Sequence, residues 1–197
     1  MGSNIIRKKR DRPEKVWREI DYTVEIPEGI SVEVVGNNIV TVKGEKGEIT
    51  RQLRYPRITI HTQENQVLMS TKYFSKSLKT IMGTYRAHIN NMIKGVSEGF
   101  EYNLKVVYSK FPMTVEKKED TLLVKNLLGE KVPRIVKIPK GAQVDVKGED
   151  ITVTGIDKEV CGKAAALIEQ STRITHMDRR VIQDGIYITQ KPHRVYS

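Results

Sequence analysis

The amino-acid sequence predicts an α+β fold of two duplicated domains, each a small antiparallel β-sheet covered by one α-helix. Three observations lead to this prediction. A hairpin-like pattern occurs at residues 26–44 and again at residues 138–155, and an apolar stripe with helical spacing follows each copy. The chain has 197 residues, of which 38% are hydrophobic, so its composition suits two modest cores better than one large core.

The repeated hairpin is the clearest feature of the chain. Both copies begin with Ile-Pro-x-Gly and continue as two runs of alternating apolar and polar residues around a short polar turn. Alternation of this kind is typical of a hairpin with one buried face, and the shared lead-in favours duplication over chance. The residues expected to point inward are Val32, Val34, Val40 and Val42 in the first copy and Val144, Val146, Ile151 and Val153 in the second.

The first domain continues with strand-like runs at 57–62 and 66–72, followed by a helix. Ser75 or Ser77 is a suitable N-cap, and Gly95 is expected to end the helix. Apolar residues recur here at spacings of three and four, which predicts a helix with one buried face. They are Leu78, Ile81, Met82, Tyr85, Ile89, Met92 and Ile93.

The second domain begins with strand-like runs at 102–108, 113–118 and 121–125. After the second hairpin copy, Asp157 is the expected N-cap of another helix, and a short last strand is expected at 185–189. The apolar stripe of this helix is Val160, Ala164, Leu167 and Ile168. The predicted organisation is a basic arm at 1–20, a first repeat at 21–97, a second repeat at 98–191 and a tail at 192–197.

The charge of the chain favours a polyanionic partner. It has 34 Lys+Arg against 24 Asp+Glu, a net charge of +10. Nucleic acid or an anionic membrane surface would attract such a chain, and we favour nucleic acid over a membrane or a merely solvated basic surface. The excess is +4 in residues 1–20, +2 in 21–100 and +4 in 101–197, so the arm and the second repeat are the better candidates.

Targeting and catalytic signals are both weak. No run of about 18 apolar residues exists, and the first residues lack the apolar region of a secretory signal, which predicts a cytoplasmic protein without a membrane partner. The histidines are scattered, and Cys161, the single cysteine, is expected to be a small buried residue. The carboxylates at 145–150 resemble the polar face of a hairpin. We therefore predict a protein that is not an enzyme and uses no metal, cofactor or small-molecule substrate.

Basic residues concentrate towards the end of the second repeat, where only Asp178 and Asp184 oppose them. A helix C-terminus alone would explain Arg173, because cations are favourable there, but not the basic residues beyond it. Aromatic residues are only 6% of the chain. This favours a protein that recognises the shape and backbone of folded RNA over one that stacks its side chains on RNA bases. The predicted RNA-binding residues are Lys158, Lys163, Arg173, Arg179, Arg180, Lys191, His193 and Arg194.

Four long segments carry a resemblance to a known family. They read GTYRAHINNMIKGVSEGF, NLLGEKVPR, GIDKEVCGKAAALIEQSTRI and DGIYI, at 83–100, 126–134, 155–174 and 184–188. Over residues 22–191, the chain resembles the universal large-subunit ribosomal protein L-six family. Within that family it resembles the archaeal/eukaryotic branch, and its overall sequence is most similar in character to archaeal members. It departs from the branch pattern at Met177, where a basic residue is usual, and at Ile182, where Phe is usual.

The resemblance implies a structural constituent of the large ribosomal subunit, with ribosomal RNA as its main partner. Members bind this RNA chiefly through the second domain, near the sarcin–ricin loop and the stalk base. Neighbouring ribosomal proteins lie there, and translational GTPases act on that surface. By matching position, the resemblance places Lys158, Lys163, Arg173, Arg180 and Lys191 in the RNA-facing region.

Two alternatives remain open at this point. One is a protein–protein interaction module whose sheets bind a partner by an edge or a face. The other is a hydrolase that acts on nucleic acid. Salt separates the first alternative from the RNA-binding hypothesis, because phosphate neutralisation makes RNA affinity fall steeply as salt rises.

Overall fold

The structure is a computed structural model, and it describes residues 20–36, 38–72, 75–175, 177–178, 180–192 and 194–195. The predicted basic arm therefore lies outside the described residues except for Ile20, and so do the side chains of the predicted tail beyond Pro192. Within the described part, neither helix is long and apolar enough to cross a membrane.

The first repeat contains six strands and one helix. Two three-stranded antiparallel sheets form, in the orders β2-β3-β4 and β1-β6-β5, and α1 packs over both around one apolar core. The elements are β1 (Ile20–Glu25), β2 (Ser31–Val35), β3 (Ile39–Gly44), β4 (Gly47–Gln52), β5 (Thr59–Gln63), β6 (Gln66–Thr71) and α1 (Lys76–Ser97).

The second repeat contains the same set of elements, two further strands and a short 3-10 helix at Leu127–Gly129. Its sheets have the orders β10-β9-β8 and β11-β12-β7-β13-β14, and α2 packs on them around a second core. The elements are β7 (Phe100–Val107), β8 (Thr114–Lys118), β9 (Thr121–Lys125), β10 (Arg134–Lys137), β11 (Ala142–Lys147), β12 (Asp150–Gly155), α2 (Lys158–Ser171), β13 (Gly185–Lys191) and β14 (Arg194–Val195). The duplicated α+β fold is confirmed, with two sheets in each repeat.

The hairpin registers agree with the sequence prediction. Val32 faces Val42 across β2 and β3, and Val144 faces Val153 across β11 and β12. Gly29 and Gly141, the glycines of the two Ile-Pro-x-Gly lead-ins, have φ of 83° and 95°. Glycine adopts this left-handed conformation without the Cβ clash of other residues, so the same residue type has the same physical role in both lead-ins.

The prediction that these two hairpins are equivalent parts of the two repeats is wrong, however. In chain order, β1 to β6 and α1 correspond to β7 to β12 and α2, and the sheet orders match on this basis. The β2–β3 hairpin therefore corresponds to β8–β9, and the β11–β12 hairpin corresponds to β5–β6. Alternation is a local property that any half-buried hairpin shows, so it did not identify the position of a hairpin in the repeat.

The helices differ from the prediction in two respects, the C-terminal end of α1 and the buried face of α2. Ser75 caps α1 by accepting from the Leu78 N–H, but α1 continues past Gly95 to Ser97. Asp157 caps α2 as predicted, its carboxylate accepting from the Glu159 N–H at 2.8 Å. Val160 and Leu167 are only partly buried, because the buried face of α2 is centred on Cys161, Ala164, Ala165 and Ile168.

The two repeats meet where β12 leads into α2. Ile156 packs against the core of the first repeat, and the guanidinium of Arg51 donates to both carboxylate oxygens of Glu159, at 2.8 and 2.9 Å. This hydrogen-bonded pair holds the pKa of Glu159 below its usual value. His88 Nδ1 lies 3.4 Å from the same carboxylate, but burial, followed by the charge of Arg51, lowers the pKa of His88, so the imidazole is mostly neutral at pH 7.

Candidate nucleic-acid interface

Helix α2 positions three of the predicted RNA-binding residues. Its apolar face packs on the sheet of the second repeat, which leaves Lys163 exposed on the opposite side. Lys158 is the first helical residue, and its Nζ lies 5.8 Å from the centre of the Phe100 ring, within the range of a cation–π contact. Arg173 follows the C-terminus of the helix and is exposed.

Arg134 connects the start of β10 to the end of α2 through hydrogen bonds. Its guanidinium donates to the carbonyl oxygens of Ser171, at 2.7 Å, and Arg173, at 3.2 Å. It also donates to both carboxylate oxygens of Glu130, which lowers the pKa of that carboxyl. The terminal carbonyls of a helix have no partners within it, so this arginine satisfies two backbone groups while fixing the 130–137 segment.

The loop between α2 and β13 folds back on the helix end. The Ile186 N–H donates to the hydroxyl of Thr172 at 2.9 Å, and Arg173 and Ile182 line one cavity of about 300 Å³. Within the loop, the carboxylate of Asp178 accepts from the backbone N–H of Arg180 at 2.9 Å. The exposed Arg173 and Arg180 are thus carried by the same end of the second repeat.

Two carboxylates of the loop between α2 and β13 have other partners. Asp184 is buried and accepts from the backbone N–H and the hydroxyl of Ser109, at 3.0 and 2.9 Å. Asp178 binds backbone at its Oδ1, as described above. Among the described residues, neither acid forms an ion pair with Arg173 or Arg180, so the positive charge of both guanidinium groups remains available.

The predicted residues do not form one compact cluster. Helix α2 has 14 residues, so Lys158 and Arg173 lie about 20 Å apart at its two ends. Strand β13 runs from Gly185, beside the end of α2, to Lys191, which is also about 20 Å away. Arg194 lies in β14, which pairs with the far end of β13. Arg179 and His193 lie outside the described residues.

Sequence reasoning missed the part of this surface that comes from the β9–β10 connection. Lys131 is exposed three residues before Arg134, and the hydrogen bonds of Arg134 hold the start of the edge strand β10 at the C-terminal end of α2. The segment NLLGEKVPR was noticed as a family resemblance but not as part of the site. Its basic residues are separated from Arg173 by about forty positions, and the hydrogen bonds of Arg134 to the carbonyl oxygens of Ser171 and Arg173 bring the two segments together.

Chemical groups suited to catalysis are not assembled in the described part of the chain. No group of three or more His, Cys, Asp or Glu residues there is placed to hold a metal ion. Cys161 is fully buried, as predicted, and burial raises the pKa of its thiol to about 11. A thiol in this environment is a poor nucleophile at neutral pH.

Comparison with known proteins gives consistent matches along the chain. The family described as Ribosomal protein L6 matches residues 26–99 and 111–185, which correspond to one repeat each. A relative named Large ribosomal subunit protein uL6, from Methanobrevibacter smithii, is 48% identical over 168 residues, 85% of this chain and 94% of the relative. Relatives of the same name from Methanosarcina mazei and Methanococcus vannielii are 47% and 45% identical, over 88% and 87% of this chain and 98% and 94% of their own.

Proposed function

The chain belongs to the ribosomal protein L6 family, in its archaeal branch, and on that premise we propose that it binds large-subunit ribosomal RNA near the sarcin–ricin loop and the stalk base. It is a protein of the large ribosomal subunit and not an enzyme. In this position it would support the surface on which translational GTPases act, beside the ribosomal proteins of the stalk base.

The second repeat, residues 98–191, is the main RNA-binding domain in this proposal. The observation that carries it is the pair of exposed guanidinium groups of Arg173 and Arg180 at one end of that repeat, neither of which forms an ion pair with another described residue. Phosphate contacts from Lys and Arg supply much of the affinity of a protein for nucleic acid, and guanidinium groups can bind phosphate through two hydrogen bonds. The proposed contacts are Lys158, Lys163, Arg173, Arg179, Arg180, Lys191, His193 and Arg194.

The separation of these residues fits an RNA helix better than a single strand. Cations about 20 Å apart along α2 and β13 span several nucleotides, since consecutive phosphates of a strand are several ångströms apart. A double-stranded element presents phosphates over such a distance in a fixed array, which a rigid domain can match. The first repeat, with an excess of only +2, would serve mainly to orient the second through the Arg51–Glu159 contact.

The test removes two charges from the proposed site. Arg173→Gln with Arg180→Gln is compared with Lys76→Gln with Lys79→Gln, which removes the same charge from exposed positions of α1. Binding is measured to an RNA fragment that contains the sarcin–ricin region and to an equally long fragment from elsewhere in the large-subunit RNA. We expect weaker binding to the first fragment for the arginine variant only, with a shallower dependence of log affinity on log salt.

Two results would contradict the proposal. Equal affinity of the wild-type chain for both fragments would remove the sarcin–ricin region as the preferred target. Equal losses in the arginine and lysine variants would mean that net charge, and not the end of the second repeat, determines binding.

A further inference from the structure

The exposed side of α1 carries only positive charge. The helix contains four basic residues and neither aspartate nor glutamate, although residues 21–100 include ten basic and eight acidic residues altogether. The remainder of residues 21–100 therefore has a net charge of −2, so their small positive excess is the difference between a positive helix and a negative remainder. Helix α2, by comparison, has two basic and two acidic residues. We call the basic residues of α1 the cationic face: Lys76, Lys79, Arg86 and Lys94.

The four cations lie along one side of the helix. Lys76 and Lys94 are about five helical turns apart, and Lys79 and Arg86 are about two turns apart, so the face is a stripe about 27 Å long. The residues between the cations on this side are small and exposed: Gly83, Ala87 and Asn90. A Cβ at Gly83 would meet no atom within 4 Å, so the backbone of a partner can approach the helix closely here.

The protein itself does not neutralise the cationic face. Among the described residues, none of its four members forms an ion pair. The guanidinium of Arg86 lies 5.8 Å from the centre of the Tyr22 ring, a cation–π contact that leaves the charge exposed. Tyr22 and Val24 of β1 pack in the core under α1, so Asp21 and Glu25 alternate to the opposite side of their sheet.

The positions of two of these cations oppose the stability of the helix. The N-terminus of a helix carries a partial positive charge, so Lys76 at the first helical position and Lys79 in the next turn are unfavourable there. These two like charges also lie on the same side of the helix. The first turn of α1 contains no acid that would compensate, whereas Glu159 occupies the first turn of α2. Positive charge placed against the local preference indicates a negatively charged partner.

We propose that the cationic face of α1 binds the phosphates of a second segment of large-subunit RNA, distinct from the sarcin–ricin region. The inference rests on the proposed function and adds to the orienting role of the first repeat an RNA contact of its own. A stripe of this length can contact several phosphates. The Arg51–Glu159 contact joins the repeats, so the two RNA segments would be held in a defined relation to each other.

The composition of the cationic face favours RNA over a protein partner. The centre of a protein interface is normally formed by large apolar and aromatic side chains. Between the cations of α1, the exposed residues are instead glycine, alanine and asparagine. Phosphate binding needs only cations and close approach to the helix, and both are present here. An acidic protein segment is the competing outcome of the test below.

The first experiment removes two charges from the cationic face. Lys76→Gln with Lys79→Gln is compared with Lys110→Gln with Lys117→Gln, which removes the same charge from exposed positions of the second repeat outside the proposed contacts. Glutamine has nearly the helix propensity of lysine, so α1 should remain folded, and circular dichroism checks this. The affinity of the full chain is measured over a range of salt concentrations for intact large-subunit RNA and for the sarcin–ricin fragment.

On the intact RNA, we expect Lys76→Gln with Lys79→Gln to make the slope of log affinity against log salt shallower by about 1.4–1.8, since each phosphate contact contributes about 0.7–0.9. The slope of this variant on the sarcin–ricin fragment should stay that of the wild type, because the fragment lacks the second segment. Lys110→Gln with Lys117→Gln should change neither slope.

A second experiment identifies the RNA segment that lies beside α1. Gly83→Cys introduces a thiol at the exposed middle of the cationic face. Cys161 is fully buried, and burial raises the pKa of its thiol to about 11, so a tethered iron chelate attaches selectively at position 83. In large subunits that contain this labelled chain, we expect the chelate to cleave RNA outside the sarcin–ricin region.

Each other outcome has a defined meaning. An unchanged slope on the intact RNA, or no RNA cleavage from position 83, overturns the inference and leaves the proposed function standing. Equally shallower slopes on both RNAs also overturn it, because general charge would then explain the effect. If the lysine variant binds RNA like the wild type but is not retained in salt-washed large subunits, the face contacts an acidic protein and the inference is wrong. If the wild-type chain shows no salt-dependent binding to either RNA, the proposed function itself fails.

Discussion

Replacement of Gly95 by alanine tests how closely the two repeats approach each other. Alanine in a helix interior is normally favoured over glycine by about 1 kcal/mol. A Cβ at Gly95, however, would lie 2.1 Å from the carbonyl oxygen of Ile156 and 3.1 Å from the Phe100 ring. The nearer atom belongs to backbone of the second repeat, so it cannot move away as the end of a flexible side chain could.

The magnitude follows from these distances. A carbon and a carbonyl oxygen rarely approach within 3.0 Å, so α1 and the β12–α2 junction would have to separate by about 1 Å. Overpacking of this kind costs roughly 1–3 kcal/mol, which outweighs the gain in helix propensity. After subtraction of the gain in helix propensity, we expect Gly95→Ala to lower the free energy of unfolding by up to about 2 kcal/mol, a decrease in Tm of up to roughly 8 °C for a chain of this size.

Gly83 provides the matched control because it lies in the same helix and a Cβ there meets no atom within 4 Å. Gly83→Ala should raise the free energy of unfolding by up to about 1 kcal/mol. Both variants are measured by urea unfolding followed by circular dichroism, with the slope against urea checked for constancy. Equal stabilisation by both replacements would refute the close packing of the repeats at Gly95.

Two further predictions concern the second core and the contact between repeats. Val153 is fully buried, so Val153→Ala should lower the free energy of unfolding by about 1–3 kcal/mol. Val107 is 39% exposed, so Val107→Ala should change this free energy by less than about 0.5 kcal/mol. The free energies of unfolding of both variants are measured by urea unfolding. The Arg51–Glu159 pair is partly exposed, so it should contribute only about 0.2–1 kcal/mol. Because the folded pKa of Glu159 is lowered, this contribution is present above the ordinary glutamate pKa of about 4.3 and is lost as the pH falls further. Arg51→Gln should therefore be less stable than wild type at pH 7 but equally stable near pH 3, and a constant difference across that range would exclude the ion pair as its cause.

Local features of the fold could be predicted from the sequence because their causes are local. The caps at Ser75 and Asp157 depend on a side chain that reaches an N–H two or three residues away. The short strands β1, β4 and β10 were missed because four to six residues of mixed polarity show little periodicity. Their identity as strands depends on partners elsewhere in the chain, such as β9 for Arg134–Lys137.

The candidate interface was predictable in composition but not in shape. A surplus of basic residues near the end of the chain drew attention to Arg173 and Arg180, both of which are exposed in the structure. Sequence proximity suggested one patch with Lys158 and Lys191, whereas a helix and a strand carry these lysines about 20 Å away from Arg173. Arg134 joined the site through hydrogen bonds across 37 and 39 positions, which no pattern along the chain would indicate.

The two α+β repeats, the basic end and the resemblance to a ribosomal family could all be inferred from residue order, because alternation, capping and charge depend on neighbouring residues. The three-dimensional packing was needed to show which hairpins correspond, why α1 continues through Gly95, and which basic side chains share one end of the second repeat. These depend on contacts between distant segments, such as Gly95 with Ile156 and Arg134 with the end of α2. Packing in three dimensions selects such contacts, and sequence spacing does not record them.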